Sequence, residues 1–370
     1  MATANREHHF VPQFYLRYFS DDGMRINLFN FARDKVISNA SIKHQCSKHK
    51  FYDFAPELEQ AFSGLEGEAA GVIRNIQSSG VLPTHGSHEW LSLLGFIIFQ
   101  KLRTTSMGHK HDAMTDYFAK LWLENNPKFD HIDPDSFEMR NIYPVAIPLS
   151  IAGEMIPVAE DLRMHLMDNC TSLEYITSDD PVVAHNHYCE GIDYRGVTGW
   201  NCCGLQVFWP ISPTKLLLLF DPAVYKVGSS HKRKAVTNIT NEHDISQLNS
   251  LQILNARNNI YFAGTHPQNK TIKQCRNLSS KRPNERMTFV ETEGVEIGNG
   301  ETSSLLHSYE PLLPLKLSVS SITIRKRARK IPLHTRSAMN RKPIERSEEE
   351  RAAYGLMPSR RYPVKKITRK

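Results

Sequence analysis

The chain has 370 residues, 40% of them apolar and 23% charged, with a formal net charge of +7. That composition suits a globular protein of one large domain or two ordinary ones, and it excludes collagen-like and low-complexity chains. The charge is uneven: residues 311–370 hold 17 Lys and Arg against 4 Glu, and residues 1–310 hold 29 basic and 35 acidic residues. An electrostatic argument for nucleic acid therefore rests on the C-terminal stretch.

Cys46, Cys170, Cys189, Cys202, Cys203 and Cys275 form no C-x-x-C pair, which points to free thiols in a reducing compartment. The longest apolar run, residues 93–99, is far shorter than a membrane span. The opening MATANREHH carries no apolar signal region. A cytoplasmic protein without membrane association is the expectation.

In chain order, HHFVPQFYLRYFS at 8–20 comes first. Pro12 suits the first turn of a helix. That helix would set Gln13 and Arg17 four apart on one face, with His8 and His9 just ahead of an N-terminus that favours anions. RINLFNF at 25–31 alternates as a strand, and KFYDF at 50–54 is a second extended piece. From Pro56, the residues Leu58, Ala61, Phe62, Leu65, Ala69, Val72, Ile73 and Ile76 recur at helical spacing. Ser87 caps the next helix, whose residues 90–102 are apolar on most faces and so central. A third helix covers 112–124, a loop 125–148, and a fourth helix 150–168. The pattern then changes to a strand at 173–177, SDDP at 178–181, a short strand at 182–184 and an irregular loop at 187–204. Residues 205–209 and 216–220 form a hairpin turned at Pro213. Asn241 caps a last helix over 242–259. Residues 266–303 read as loop and 315–324 as one more strand.

The fold class is α+β, with a helix-rich first half and a small mixed or antiparallel sheet from the N-terminal strands and the 172–220 strands. Residues 1–265 form the main domain and 266–324 peripheral loops with an added strand. Residues 325–370 lack a core pattern and read as a disordered basic tail.

Several stretches are similar, in the same order, to signatures of the uncharacterised bacterial family known as domain of unknown function 4238. They are HHFVPQFYLRYFS, KFYDF, FQKLRTT at 99–105, ITSDDPVV at 176–183, VFWPISPTKLLLL at 207–219 and NSLQILNARNNIYF at 249–262. The resemblance covers roughly residues 7–264. SDDP stands where the family more usually has SDNP. The resemblance implies no activity, so chemistry is argued from residues.

His8, His9, Gln13 and Arg17 read either as a pocket gripping a phosphate or carboxylate or as a buried network that orders the N-terminus. His8, His9 and Pro12, then Asn39, then Cys46-x-x-His49 follow the order of an HNH nuclease, where a histidine activates water beside a divalent metal. The C-x-x-C knuckles common in such proteins are missing. SDDP sets Asp179 and Asp180 at a strand end, where acids hold Mg²⁺; alternatively Ser178 and Asp179 close a turn on their own backbone. Arg103 ends an apolar helix, and Asn249 is a pocket wall or a satisfied core amide. No acid-x-Lys, G-x-x-x-x-G-K-[ST], G-x-S-x-G or H-E-x-x-H occurs, which removes support for PD-(D/E)xK nuclease, NTPase, α/β-hydrolase and zincin readings.

The composite site thus assigns catalysis to His8, His9, Asp179 and Asp180 and binding to Gln13, Arg17, Arg103, Ser178 and Asn249; the cofactor stays open, with a divalent metal as one candidate. Two functions stay open. One is a nucleic-acid-directed, nuclease-like enzyme in a stress or defence setting. The other is a non-catalytic binding module with a polar core network, whose 325–370 tail recruits a partner or nucleic acid through charge.

Overall fold

The chain enters on a strand. In the computed structural model, which describes residues 7–52, 56–192, 196–228, 235–264, 268–284, 286–298, 301–331 and 336, β1 spans Glu7–His9. Pro12 has extended ψ and is the N-cap, and α1 (Gln13–Leu16) is a single turn extended by a 3-10 turn at Arg17–Phe19. β2 (Arg25–Asn30) and β3 (Lys35–Ser41) form a hairpin, and β4 (Ser47–His49) returns to pair antiparallel with β1.

The next two helices follow their sequence signals. α2 spans Pro56–Ser79 and α3 His88–Leu102. The Ser87 side chain accepts the Trp90 N–H, and α3 is buried continuously from Leu93 to Leu102. α4 (Thr105–Glu124) begins well before position 112, because Thr104 supplies a side-chain cap to the Met107 N–H.

The helix expected over 150–168 is not there. The chain makes two short helices, α5 (Ala146–Ser150) and α6 (Ala152–Ala159), then strand β5 (Arg163–Asn169). Met164, His165, Leu166 and Met167 are all buried. A strand covered on both faces loses the alternation that marks a strand.

β6 (Thr177–Ser178), β7 (Val183–His185), β8 (Gln206–Ser212), β9 (Lys215–Phe220), β10 (Tyr225–Val227) and β11 (Val236–Ile239) follow. α7 (Glu242–Asn255) is capped by Asn241 and stops before 259, giving way to β12 (Asn259–Phe262). Residues 266–303, expected as loop, hold α8 (Gln268–Ser279) and most of the hairpin of β13 (Thr288–Gly298) and β14 (Glu301–Tyr309). A hairpin outside the main sheets needs little apolar sequence; Phe289, stacked on Tyr117 at 4.3 Å, pins it to α4. The strand expected at 315–324 shrinks to β15 (Ile322–Ile324) on β10. Lys326–Lys330 form a 3-10 turn with Ala328 buried. Beyond Ile331 only Arg336 lies within the described residues.

Two sheets organise the α+β fold. The larger runs β11-β5-β9-β8-β7, parallel only at β11–β5, and the smaller is antiparallel in the order β3-β2-β12-β6. Every residue of β8 is buried. Val207, Trp209 and Ile211 face α3, while Phe208, with Leu216, Leu218 and Phe220 of β9, faces α7 and the 312–331 segment. That segment buries Leu317, Val319, Ile322 and Ala328, held by Leu317 N–H on Glu190 and Ser320 on Asp244.

Candidate ligand cleft and the networks beside it

Neighbouring strand residues point to opposite faces, so His8 and His9 part. His8 is buried; its Nδ1 accepts the Tyr52 N–H at 2.9 Å and its ring stacks on Tyr52. His9 meets the Gln45 carbonyl through Nδ1 at 3.1 Å and the Gln13 side-chain amide through Nε2 at 2.8 Å. A carbonyl only accepts and an amide NH₂ only donates, so His9 is the neutral tautomer with its proton on Nδ1. Burial keeps its pKa below the ordinary value. Gln13 Oε1 accepts from Arg17 at 3.3 Å. The expected Gln13–Arg17 stripe therefore exists, but one α-helical turn builds little dipole for an anion site.

The rest of the motif is a core plug. Phe10, Val11, Tyr15, Leu16 and Phe19 are buried. Tyr15 stacks on Trp209, and its hydroxyl donates to the Pro210 carbonyl and accepts from Thr177, both at 2.6 Å. The nuclease-like order dissolves in space: the Asn39 N–H goes to Asn27, the Cys46 thiol to Tyr261, and His49 sits beside Glu7 at the surface. Among the described residues no group of three His, Cys, Asp or Glu is placed to hold a metal ion.

SDDP is bound along its length by α7. Asn249 accepts the Ile176 N–H at 3.1 Å and donates to the Glu174 carbonyl at 2.8 Å. Gln252 accepts from the Ser178 hydroxyl and donates to the Pro181 carbonyl, and Asn255 donates to the Asp180 carbonyl. These amides at three-residue intervals share a helix face and take backbone groups a longer β6 would have paired. Asp179 closes the far end, accepting the N–H groups of Arg257, Asn258 and Asn259 at 2.7, 2.7 and 3.2 Å. Burial nevertheless pushes its carboxyl up to about 6. Asp180 differs: it is buried, and its Oδ1 has no hydrogen-bond partner among the described residues.

Arg103 is buried in a third arrangement. It donates to Gln100 Oε1 at 2.9 and 2.7 Å and to Glu66 at 2.6 Å, and it lies over the Phe99 ring. Gln100 in turn donates to the Phe10 carbonyl. Among the described residues no hydrogen bond or ion pair joins His8, His9, Gln13, Arg17 or Arg103 to Ser178, Asp179, Asp180 or Asn249.

The free chemistry lies elsewhere. A cleft of about 470 Å³ opens between α4, the end of α7 and residues 284–289. Lys110, Lys120, Arg257, Arg286 and His109 line it, against Asp116 and Glu138. Both acids have cationic partners: Asp116 pairs with Lys120, and Glu138 with Arg140. Lys110 is buried, with Nζ 2.6 Å from Glu310, which is also 3.9 Å from Lys101. Burial resists ionisation of Glu310, but the two lysines outweigh it and hold the carboxyl down at about 2. Arg286 is anchored by the carbonyls of Asn255 and Ala256. The Arg257 guanidinium makes no hydrogen bond or ion pair with any described residue. Burial, then Arg257, lowers the pKa of His109.

The profile of a family described as "Protein of unknown function (DUF4238)" matches residues 7–266. The chain belongs to the DUF4238 family. No curated protein and no solved structure matches it. The match takes in all the expected site residues and Lys110 and Arg257. Arg286, Phe289 and Glu310 lie beyond it, so the DUF4238 region alone does not complete the cleft. Sequence reading missed these cleft residues because they are single charges far apart in the chain. The GHKHD run at 108–112 was the one local cue.

Proposed function

We propose that the protein is a nucleic-acid-binding module that grips phosphates in the basic cleft. The observation that carries this reading is the cleft's charge: four basic side chains, of which Lys120 pairs with Asp116 and Lys110 with Glu310, a Glu138 neutralised by Arg140, and the Arg257 guanidinium without a described partner. A guanidinium in a partly enclosed site matches two phosphate oxygens at once, and the Tyr117–Phe289 ring pair adds a flat wall. The motif side chains are occupied with the chain's own backbone, as a structural polar network would be. The sequence after Arg336, with 10 basic and 4 acidic residues, adds a salt-sensitive contribution without readout. A cytoplasmic setting accords with six free thiols.

Asp180 favours a second reading. A buried carboxylate oxygen with no partner among the described residues, whose charge acts on Lys110 and Arg286, is a group a divalent metal would use in a nuclease.

Fluorescence anisotropy with labelled single-stranded DNA and RNA at several salt concentrations tests the binding. Arg257→Ala is expected to weaken it about tenfold and to reduce the salt slope by about one counterion, with an unchanged Tm. An unchanged slope puts the contacts elsewhere. Incubation with Mg²⁺ or Mn²⁺ decides between the readings: cleavage that disappears in Asp180→Asn replaces the module with a nuclease.

A further inference from the structure

The basic cleft does not end at Lys110. Lys110 and Met287 also line a second cavity of about 310 Å³. Its character is different. Leu102, Met107, Met114 and Trp200 give it apolar walls, and Gly196 and Gly199 leave part of its lining bare of side chains. Its polar groups come from Thr198, Ser308, Tyr309 and the Lys101, Lys110 and Glu310 side chains. His111 also lines it.

We propose that this second cavity receives one unstacked nucleobase of a single strand whose phosphates lie in the basic cleft; the proposal rests on the nucleic-acid reading above. Three features support it. Thioether and indole groups pack on the faces of flat heteroaromatic rings. The side-chain hydroxyls of Thr198 and Ser308 in the lining offer hydrogen bonds to a base edge. Lys110 stands between the two cavities, so a phosphate at its ammonium is a backbone step from both. Lys110 is ion-paired there with Glu310, which also faces Lys101. A duplex would not enter without unpairing, since its bases are held in the stack.

The test compares three labelled probes of equal length and charge: a single-stranded oligodeoxynucleotide, the same backbone with abasic residues at its central positions, and a duplex. The single strand is expected to bind about tenfold tighter than the abasic strand, the range of one base stacked on an aromatic surface. It is also expected to quench a tryptophan signal that Trp200→Phe removes. Met114→Trp, which fills the cavity from a partly exposed helix position, is expected to abolish the preference while keeping abasic-strand affinity and Tm. Equal binding of single and abasic strands, or a preference that survives Met114→Trp, overturns the base pocket while the phosphate reading stands. If none of the three probes binds, both fall.

Discussion

Asn249 offers the sharpest test of whether the SDDP region is held for structure or for chemistry. Replacing it with Ala removes two hydrogen bonds, to the Ile176 N–H and the Glu174 carbonyl. Ile176 and Asn249 are each 1% exposed, so the N–H is left in a dry interior. The Glu174 carbonyl belongs to a half-buried residue and recovers part of its loss from water. One buried donor without a partner costs about 1–3 kcal/mol, and a partly solvated acceptor less. The lost side-chain volume adds somewhat, giving about 2–4 kcal/mol in all. For a chain of this size that lowers Tm by about 3–5 °C. Asn249→Asp keeps the acceptor, loses the donor and buries a charge near Asp179 and Asp180, so it is expected to cost more than Ala. Thermal and urea unfolding of the three proteins gives the order. An Asn249→Ala protein within about 0.5 kcal/mol of wild type that has lost ligand binding would refute the clamp and make Asn249 a contact residue.

Four further outcomes follow. Asp179 holds its proton up to about 6 in the folded chain, against an ordinary 3.8; the folded state binds the extra proton between those values. Stability therefore falls as pH rises through that window, by up to about 1.4 kcal/mol per unit, and Asp179→Asn is expected to flatten the slope seen in pH-dependent denaturation. Glu310 has the opposite sign. Its carboxyl sits at about 2, so the stability it contributes is full above the ordinary 4.5 and lost as pH falls toward 2; in Glu310→Gln that acid loss should shrink. Arg103→Ala leaves Glu66 and Gln100 without their partner in a mostly buried setting and should cost about 3 kcal/mol, whereas Arg17→Ala, at a surface hydrogen bond, should cost less than about 0.5 kcal/mol by the same unfolding assay. Removing residues 338–370 should leave Tm unchanged and lower only the salt slope of nucleic-acid binding; removing 312–370 should lower Tm sharply, because it strips Leu317, Val319, Ile322 and Ala328 from the core.

What was legible depended on where the information lies. α2 and α3 carry their own spacing and, at Ser87, their own cap, so local sequence was enough. β1 was not legible, because its partner β4 lies some 40 residues away and three residues have no period. β5 read as helix because Met164–Met167 are buried on both faces and so show no alternation. α8 and the β13–β14 hairpin read as loop because they are polar and lean on α7 and α4. In the candidate site, sequence weighed Asn249 as a core amide and Ser178–Asp179 as a turn on their own backbone; Ser178 does accept the Asp180 N–H, but the Asp179 carboxylate takes the N–H groups of Arg257, Asn258 and Asn259, which no local spacing announces. Arg257 was invisible. Its side chain matters through Arg286 and Lys110, and nothing in their spacing announces that three distant cations line one cleft.

The 312–331 segment sets an order on synthesis. The β8–β9 face carrying Phe208, Leu216, Leu218 and Phe220 leaves the ribosome about 100 residues before Leu317 and Ile322 arrive to cover it. At about 5–20 residues per second, that face waits roughly 5–20 s with only α7 available to shield it. A sheet with one bare apolar face is the kind of species that associates with its neighbours. The cover thus acts as a timing element, and a stalled or shortened translation product would be aggregation-prone even with the whole DUF4238 region made.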